Sequence, residues 1–361
     1  MYSNGSKATN DGTITSTSAN NVIGMHSATN TVGVASALKN TGRINLTGSD
    51  NVGISLTGAG TTGTTTGSSK VNLSGDNSTG ISVAKGSALT ADAGTTSVKG
   101  NGSYGIVVDD NAASTMSSTG KLTVSGATGS AGESSTRGSV GIAVMNTAAT
   151  GLTGSLDATI HVTGGKSVGL YSKGNLIVDE ANVTTSNGAT NFFADGGKIT
   201  VGNASGVSNV VTGTGSKGSL LFYATGAGKI NINGRMNATI EGGANAATRG
   251  TAFYYNGSSG VDFTTWLNNT FSGLNNLHLM MNIGSRLIAA QGLTVDLSNT
   301  GISTIFPTSV IGSISGTDYK TFMLHRSNLT VDQAVNLDNS GDAYNNLEIA
   351  GSSITHNNTI T

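Results

Sequence analysis

The sequence predicts an all-β protein that folds as a parallel β-helix, a solenoid with three short strands per coil. Three observations lead to this fold class: two short motifs alternate along the chain, they recur at a nearly constant period, and glycine is in large excess. Of the 361 residues, 54 are glycine, one is proline and none is cysteine. The glycine share is about twice that of ordinary soluble proteins. Tight, stacked corners explain this excess, because they need positive φ angles or leave no room for large side chains.

The first motif reads small or polar residue, glycine, aliphatic residue, any residue, aliphatic residue. Apolar and polar positions alternate as in a half-buried strand, and glycines mark the ends. Its copies are Val52-Gly53-Ile54-Ser55-Leu56, Thr79-Gly80-Ile81-Ser82-Val83, Tyr104-Gly105-Ile106-Val107-Val108, Val140-Gly141-Ile142-Ala143-Val144 and Val168-Gly169-Leu170-Tyr171.

The second motif reads basic or polar residue, aliphatic residue, any residue, aliphatic residue, and it alternates with the first. Its copies are Arg43-Ile44-Asn45-Leu46, Lys70-Val71-Asn72-Leu73, Lys121-Leu122-Thr123-Val124, Lys198-Ile199-Thr200-Val201 and Lys229-Ile230-Asn231-Ile232. Successive motif glycines Gly53, Gly80 and Gly105 lie 27 and 25 residues apart.

A weaker third strand fits between the two motifs, at 87–90 and at 113–116. One coil then has three strands and three turns, and stacked coils bury a continuous column of Ile, Val and Leu. With about 4.8 Å per coil, roughly ten or more coils form a rod of about 50 Å or longer. A β-sandwich is the alternative fold, although its strands are not expected to repeat two distinct motifs in alternation.

Two loop insertions and one helix interrupt the predicted repeats. Segments 61–69 and 127–138 lack alternation, so we expect loops that bulge from the rod. Phe263, Trp266, Leu267, Phe271 and Leu274 follow helical spacing, which predicts a short amphipathic helix near 262–273 packed against the rod. Strand-like runs resume at 277–279, 293–297, 329–331 and 347–349. The expected organisation is therefore β-helix repeats over 1–260, then the helix and continuing coils over 261–361.

Composition disfavours several classes of partner and location. The formal net charge is −1 and only 10% of residues are charged, so no electrostatic footprint for nucleic acid or anionic lipid is present. No run of about 18 apolar residues predicts a membrane helix, and residues 1–5 are too polar for a secretory signal. We interpret the sequence as a fragment of a longer exported chain.

Several of these motifs resemble the passenger region of the large fusobacterial-type autotransporter (type V secreted) adhesins. The resemblance is carried by Asn51-Val52-Gly53-Ile54, Gly120-Lys121-Leu122-Thr123-Val124, Ala252-Phe253-Tyr254-Tyr255-Asn256-Gly257 and the 266–279 stretch, and it covers most of the chain. It implies a right-handed coil exposed on the surface of a Gram-negative bacterium. It also implies that the full-length protein carries a signal peptide and a C-terminal outer-membrane barrel, both absent here, with the barrel as the link to the membrane. The implied partner is a glycan or protein receptor on host or bacterial surfaces.

Catalytic and cofactor motifs are weak. GxGxxG occurs three times, starting at Gly58, Gly100 and Gly213, but none opens a predicted helix as dinucleotide binding requires. The histidines His26, His161, His278, His325 and His356 lack metal-site spacing. We therefore expect no cofactor, no metal and no catalytic residue.

Paired carboxylates are the remaining candidates for catalysis. Asp109-Asp110 and Asp179-Glu180 are neighbours on strands, so their side chains point to opposite faces unless a turn intervenes. Carboxylates from different coils converge in some enzymes of this fold, which leaves a polysaccharide-degrading β-helix as a further alternative.

Aromatic residues supply the candidate ligand-binding site. The chain has 8 Phe, 8 Tyr and 1 Trp, and of these only Tyr2 and Tyr104 precede residue 171. Aligning the first motif in successive coils places Leu170, Phe192, Phe222 and Phe253 inward. The next position, which faces outward, then holds Tyr171, Phe193, Tyr223 and Tyr254.

Such a ladder suits sugar faces or a protein partner, because aromatic rings offer a large contact area and tyrosine a polar group. In the alternative interpretation, an inserted loop or the 262–273 helix covers the rings. The expected function is a non-enzymatic adhesin passenger. A structural stalk or a self-associating rod is the alternative.

Overall fold

The computed structural model describes residues 1–91, 94–109, 115–118, 121–128, 138–146, 157–203, 205–213, 215, 217–245, 247–282, 284–296, 313–315, 321–325, 328–331 and 346–356. These residues form short strands, one α-helix and one 3₁₀ turn.

The first seventeen strands belong to the part of the chain before residue 164. They are β1 (Tyr2–Asn4), β2 (Lys7–Asn10), β3 (Thr13–Thr17), β4 (Ile23–Ala28), β5 (Ala37–Asn40), β6 (Arg43–Thr47), β7 (Val52–Thr57), β8 (Thr62–Thr65), β9 (Lys70–Ser74), β10 (Thr79–Ala84), β11 (Ala88–Ala91), β12 (Gly94–Lys99), β13 (Tyr104–Asp109), β14 (Thr115–Ser118), β15 (Lys121–Thr128), β16 (Val140–Val144) and β17 (Asp157–Thr163).

The second part contains further strands, helix α1 (Phe263–Thr270) and a 3₁₀ turn (Leu274–Asn276). Its strands are β18 (Val168–Ser172), β19 (Asn175–Val178), β20 (Glu180–Ser186), β21 (Thr190–Asp195), β22 (Lys198–Val201), β23 (Val207–Thr212), β24 (Leu220–Thr225), β25 (Lys229–Ile232), β26 (Arg235–Ile240), β27 (Thr251–Asp262), β28 (Phe271–Ser272), β29 (Leu277–Met281), β30 (Arg286–Asp296), β31 (Ser313–Ser315), β32 (Thr321–His325), β33 (Asn328–Val331), β34 (Asn346–Ala350) and β35 (Ser353–His356).

The described strands form four parallel sheets that run along the rod. Sheet A has 15 strands in the order β1-β4-β7-β10-β13-β16-β18-β21-β24-β27-β30-β32-β34, with β33 and β35 paired beside β30. Sheet B has five strands (β2, β5, β8, β11, β14), sheet C has 11 (β3 to β31), and sheet D has four (β19, β22, β25, β28).

Each early coil visits sheets A, B and C in turn, and sheet D takes the place of sheet B in the coils that begin at β18. The predicted parallel β-helix with three strands per coil is confirmed. Parallel pairing is in register from coil to coil, as in Ile54 with Ile81 and Ile81 with Ile106. A sandwich of antiparallel strands is thereby ruled out.

The core is a column of apolar side chains on the inner face of sheet A, packed against those of the other sheets. Register places one such residue from each coil directly above the last. All are at most 1% exposed: Met25, Ile54, Ile81, Ile106, Ile142, Leu170, Phe192, Phe222 and Phe253. Burial of each such side chain contributes about 1.5–3 kcal/mol. A single coil would leave these side chains exposed to water, so the fold gains this stability only when coils stack.

The motif glycine is required by close approach of neighbouring coils. A Cβ atom built on Gly53 lies 2.5 Å from the carbonyl oxygen of Gly80 and also overlaps Val71. Just before this position, buried polar residues form a column in which each backbone N–H donates to the hydroxyl of the next coil: Asn51 to Ser78, Ser78 to Ser103, Ser103 to Ser139 and Ser139 to Ser167.

The loop predicted at 61–69 is wrong, because Thr62–Thr65 is strand β8 of sheet B. The sequence shows no alternation of apolar and polar residues here, because the inward-facing residues are Gly63 and Thr65. Leu56 occupies the space that a side chain at Gly63 would need. Of the loop predicted at 127–138, Ala127 and Thr128 belong to β15. Residues 129–137 lie outside the described part.

The helix predicted near 262–273 is present over Phe263–Thr270 and is shorter than expected. It begins at Asp262, whose side chain accepts a hydrogen bond from the backbone N–H of Thr265 at 2.7 Å. It ends because Phe271 adopts an extended conformation and pairs with Ile230 in sheet D. After α1, sheet A continues through β30, β32 and β34. No helix among the described residues is long and apolar enough to cross a bilayer.

Candidate functional site

The four predicted site residues lie side by side on the outer face of sheet A. Tyr171 pairs with Phe193, Phe193 with Tyr223, and Tyr223 with Tyr254, on the adjacent strands β18, β21, β24 and β27. The strand alignment made from the sequence is confirmed at every step. We call Tyr171, Phe193, Tyr223 and Tyr254 the outer aromatic ladder.

The rings of the ladder contact one another in two different ways. Phe193 and Tyr223 are stacked, with centroids 4.6 Å apart and planes 20° apart. Tyr171 meets Phe193 edge-on at 5.3 Å and 77°, and Tyr254 meets Tyr223 at 5.1 Å and 61°. The ladder therefore has a stacked central pair, with an edge-on ring at each end.

All four rings are half-buried. Burial raises the pKa of the Tyr223 and Tyr254 hydroxyls above their ordinary value. Toward the first half of the rod the ladder continues into an apolar patch with buried Val140, Ala143 and Val168, against which Tyr171 and Phe193 pack. The outer face of sheet A thus carries one connected apolar stripe.

Helix α1 packs its aromatic residues on Tyr255 and Phe271. Trp266 contacts Tyr255 and Phe271 at ring-centroid distances of 5.3 and 5.5 Å. Phe271 in turn contacts Phe222 and Phe253 of the inner column. The helix therefore extends the core.

A second column of residues, which the sequence interpretation missed, runs beside the ladder. It consists of the residue two positions after each ring: Lys173, Asp195, Thr225 and Asn256. Since strand side chains alternate between faces, this spacing puts ring and polar residue on one face. The alternation of side chains along the ladder strands could have revealed this column from the sequence. We call these four residues the polar column.

Asp195 is the centre of the polar column. Its carboxylate accepts hydrogen bonds from the Tyr171 hydroxyl at 2.6 Å and the Thr225 hydroxyl at 2.7 Å, and Lys173 Nζ lies 3.7 Å away. Partial burial by itself raises the pKa of Asp195, but these donors outweigh it and hold the pKa below its ordinary value. Burial and the bond to Asp195 raise the pKa of Tyr171 strongly.

A cleft opens where α1 meets strand β27 and the corner that follows β24. Its volume is about 540 Å³. It is lined by Ala224, Thr225, Gly226, Ala227, Gly228, Lys229, Tyr255, Asn256, Gly257, Val261, Thr265, Trp266, Asn269 and Thr270. Thr225 and Asn256 belong to both the polar column and this lining, so the cleft and the ladder are neighbours. We call it the corner cleft.

The other sequence candidates lie apart from this surface. His26 contacts Ser55 at 3.0 Å and stacks on Tyr2 at the start of the rod, while His278 contacts Ser313 on sheet C. His161 is exposed on β17. The side chains of His325 and His356 are outside the described set. Within the described ranges, no three His, Cys, Asp or Glu side chains are grouped as a metal site requires.

Three of the four residues in the two carboxylate pairs lie in the described part of the chain. Asp109 is exposed at the end of β13, and Asp110 lies outside the described residues. Glu180 opens β20 and accepts a hydrogen bond from Asn182 at 3.0 Å, with Asp179 just before it in the turn.

Comparisons with protein-family models, curated proteins and solved structures found no match to this chain.

Proposed function

We propose that this chain is a rod-shaped, extracellular adhesin segment that binds a receptor on host or bacterial surfaces through the outer face of sheet A. The observation that carries the proposal is the in-register outer aromatic ladder, with its half-buried rings beside a column of polar side chains. Connected apolar patches edged by polar groups are typical of interaction sites, and aromatic residues dominate binding energy at such sites.

The architecture supports the same proposal in a second way. Adjacent coils are joined by continuous parallel pairing along sheet A, which makes a stiff scaffold for presenting a surface at a distance from a cell. Anchoring to the outer membrane of a Gram-negative bacterium, by parts of a longer protein, is the location that the autotransporter resemblance implies.

Binding to an array of glycans and host-cell-surface receptors tests the proposal. The variant to compare is Tyr223→Ser with Tyr254→Ser, since Tyr171 also holds Asp195 and its loss would confuse binding with stability. Tyr2→Ser is the matched control, because Tyr2 is 65% exposed on the same sheet at the far end of the rod.

We expect the parent and the Tyr2→Ser control to bind the same array members, and the folded double variant to lose them. Circular dichroism of all three proteins checks folding. Equal binding by the double variant would refute the ladder as the binding surface.

Self-association is a second candidate, favoured by an amide column on the outer face of sheet C. Asn209 donates to Asn182 at 3.3 Å, and Asn237 donates to Asn209 at 3.2 Å. A half-exposed row of amides of this kind can pair with a second copy. Sedimentation velocity at rising concentration separates the two functions, because a rod that only binds a receptor stays monomeric. If the rods do associate through this column, the Asn209→Asp variant should be monomeric, because the introduced carboxylates repel each other.

A further inference from the structure

The corner cleft has the size of a small-ligand site. Its volume of about 540 Å³ lies within the range of about 300–1,000 Å³ that is typical of such sites. Helix α1 forms one wall, and the turn after β24 together with strand β27 forms the other. Its base includes Trp266 and Tyr255, which are each 7% exposed and held against each other edge-on.

The chemistry of the walls favours a neutral, hydroxyl-rich ligand. Exposed Thr265 and Asn269 project from α1, and Thr225 and Asn256 face them from the rod. Amide and hydroxyl groups both donate and accept hydrogen bonds, as the hydroxyls of a sugar do. Lys229 is the one lysine or arginine in this lining, which contains no Asp or Glu. A phosphorylated ligand would need a stronger cationic site, and a lipid chain would leave the amide and hydroxyl groups of the walls without hydrogen-bond partners.

A hydrogen bond connects the corner cleft to the ladder face. Thr225 of the lining donates to Asp195, which also accepts from Tyr171. Asn256 of the lining follows Tyr254 by two residues on β27. A ligand seated in the cleft therefore has a continuous path of polar and aromatic groups onto the outer face of sheet A.

We propose that the corner cleft is a carbohydrate subsite that seats one or two sugar units of a glycan whose chain continues over the outer aromatic ladder. The inference rests on the proposed function, because it names the ligand class of the same surface. Amide groups at the rim would bind the sugar hydroxyls, and the base of Trp266 and Tyr255 would pack on the apolar face of a ring.

Trp266 makes the test direct, because it is the single tryptophan of the chain. The purified protein is titrated with lactose, cellobiose, maltose and N,N′-diacetylchitobiose while tryptophan emission is followed. Saturation-transfer NMR of the same disaccharides provides a second readout. We expect saturable binding of at least one of them.

Two asparagines in the same turn of α1 provide a matched pair of variants. Asn269 lines the cleft, whereas its exposed neighbour Asn268 does not belong to the lining. Both changes to alanine alter helix propensity equally, so only the lost ligand contact differs. We expect Asn269→Ala to weaken disaccharide binding about 3- to 10-fold, as the loss of one hydrogen bond predicts, and Asn268→Ala to leave it unchanged. Ala227→Phe, at an exposed turn position in the lining, should block the cleft.

The outcomes separate this inference from the proposed function. Absence of saturable binding to all four disaccharides in both readouts, or equal affinities of the Asn269→Ala and Asn268→Ala variants, would overturn the subsite. Receptor binding on the array that depends on Tyr223 and Tyr254 would still support the adhesin in that case. If the Tyr223→Ser, Tyr254→Ser variant still binds the disaccharide and the parent binds nothing on the receptor array, the result would instead support the subsite and count against the ladder as the receptor-binding surface.

Discussion

At the scale of single residues, Asp195 shows how one carboxylate joins three coils. It lies on β21, accepts from Tyr171 on β18 and from Thr225 on β24, and lies near Lys173. Its pKa in the folded state is below the ordinary value because these donors outweigh its partial burial. A carboxylate with a lowered pKa stabilises the folded state at pH values above its unfolded pKa. That contribution is lost as the pH falls through the folded pKa.

Tyr171→Phe removes the shortest of these bonds and keeps the ring. We expect the variant to be less stable than the parent by about 1 kcal/mol at pH 7, at the low end for a bond to a charged group because Asp195 is partly exposed. The difference should shrink as the pH falls below about 4, the ordinary range of an aspartate. Urea unfolding at several pH values measures this.

Tyr223→Phe is the control for that experiment, since it removes a hydroxyl from the same ladder without removing the Tyr171 bond. Its stability difference from the parent should vary less with pH. A Tyr171→Phe difference that stays constant from pH 7 to pH 3 would contradict the role assigned to Asp195.

At the scale of elements, α1 is an eight-residue helix whose stability comes from its cap and from packing. An isolated helix shorter than about 12 residues is marginal in water, but Phe263, Trp266 and Leu267 are buried against the rod. Because α1 forms one wall of the corner cleft, its position also decides whether the cleft exists.

Asp262→Ala removes the cap of α1, and we expect it to destabilise the helix by about 1 kcal/mol. Asp262→Asn should restore most of that loss, since asparagine caps helices about as well. Hydrogen exchange of the α1 amides and the emission of Trp266 report the change locally. Identical exchange in the alanine and asparagine variants would show that the cap contributes nothing.

At the scale of the whole molecule, the rod is close to one-dimensional, because each coil pairs only with the coils before and after it in sheet A up to β27. In such an architecture, stability is approximately a sum of coil and interface contributions. A local defect should therefore weaken nearby coils more than distant ones.

Gly53→Ala tests this locality. Its Cβ would press on the Gly80 carbonyl and on Val71, so we expect a loss of about 1–3 kcal/mol, typical of overpacking. Exchange should rise around β7 and β10, and change little around β21 and β24. Gly12→Ala is the control, because no atom lies within 4 Å of a Cβ there. Uniformly faster exchange along the whole rod would contradict the one-dimensional description.

Local sequence patterns were sufficient to predict the repeats, the parallel β-helix, the inner column and the register of the outer aromatic ladder. These follow from period-two alternation and from spacings of 25 to 27 residues, and both are properties of short stretches of chain. The helix was predicted by the same means, although its end was not. Phe271 fits the helical spacing, but its pairing with Ile230 in another coil decides its conformation.

Only the tertiary structure decided the features that depend on contacts between coils. Strand β8 carries little apolar signal of its own, because Leu56 fills the space that Gly63 leaves empty. The hydrogen bonds of Asp195 join residues 24 and 30 positions apart. The corner cleft exists because α1 docks beside the turn after β24, which belongs to the preceding coil. The orientations of the ladder rings likewise result from the packing of each ring against the next. Sequence periodicity determined which residues share a face, and three-dimensional packing determined what those residues form together.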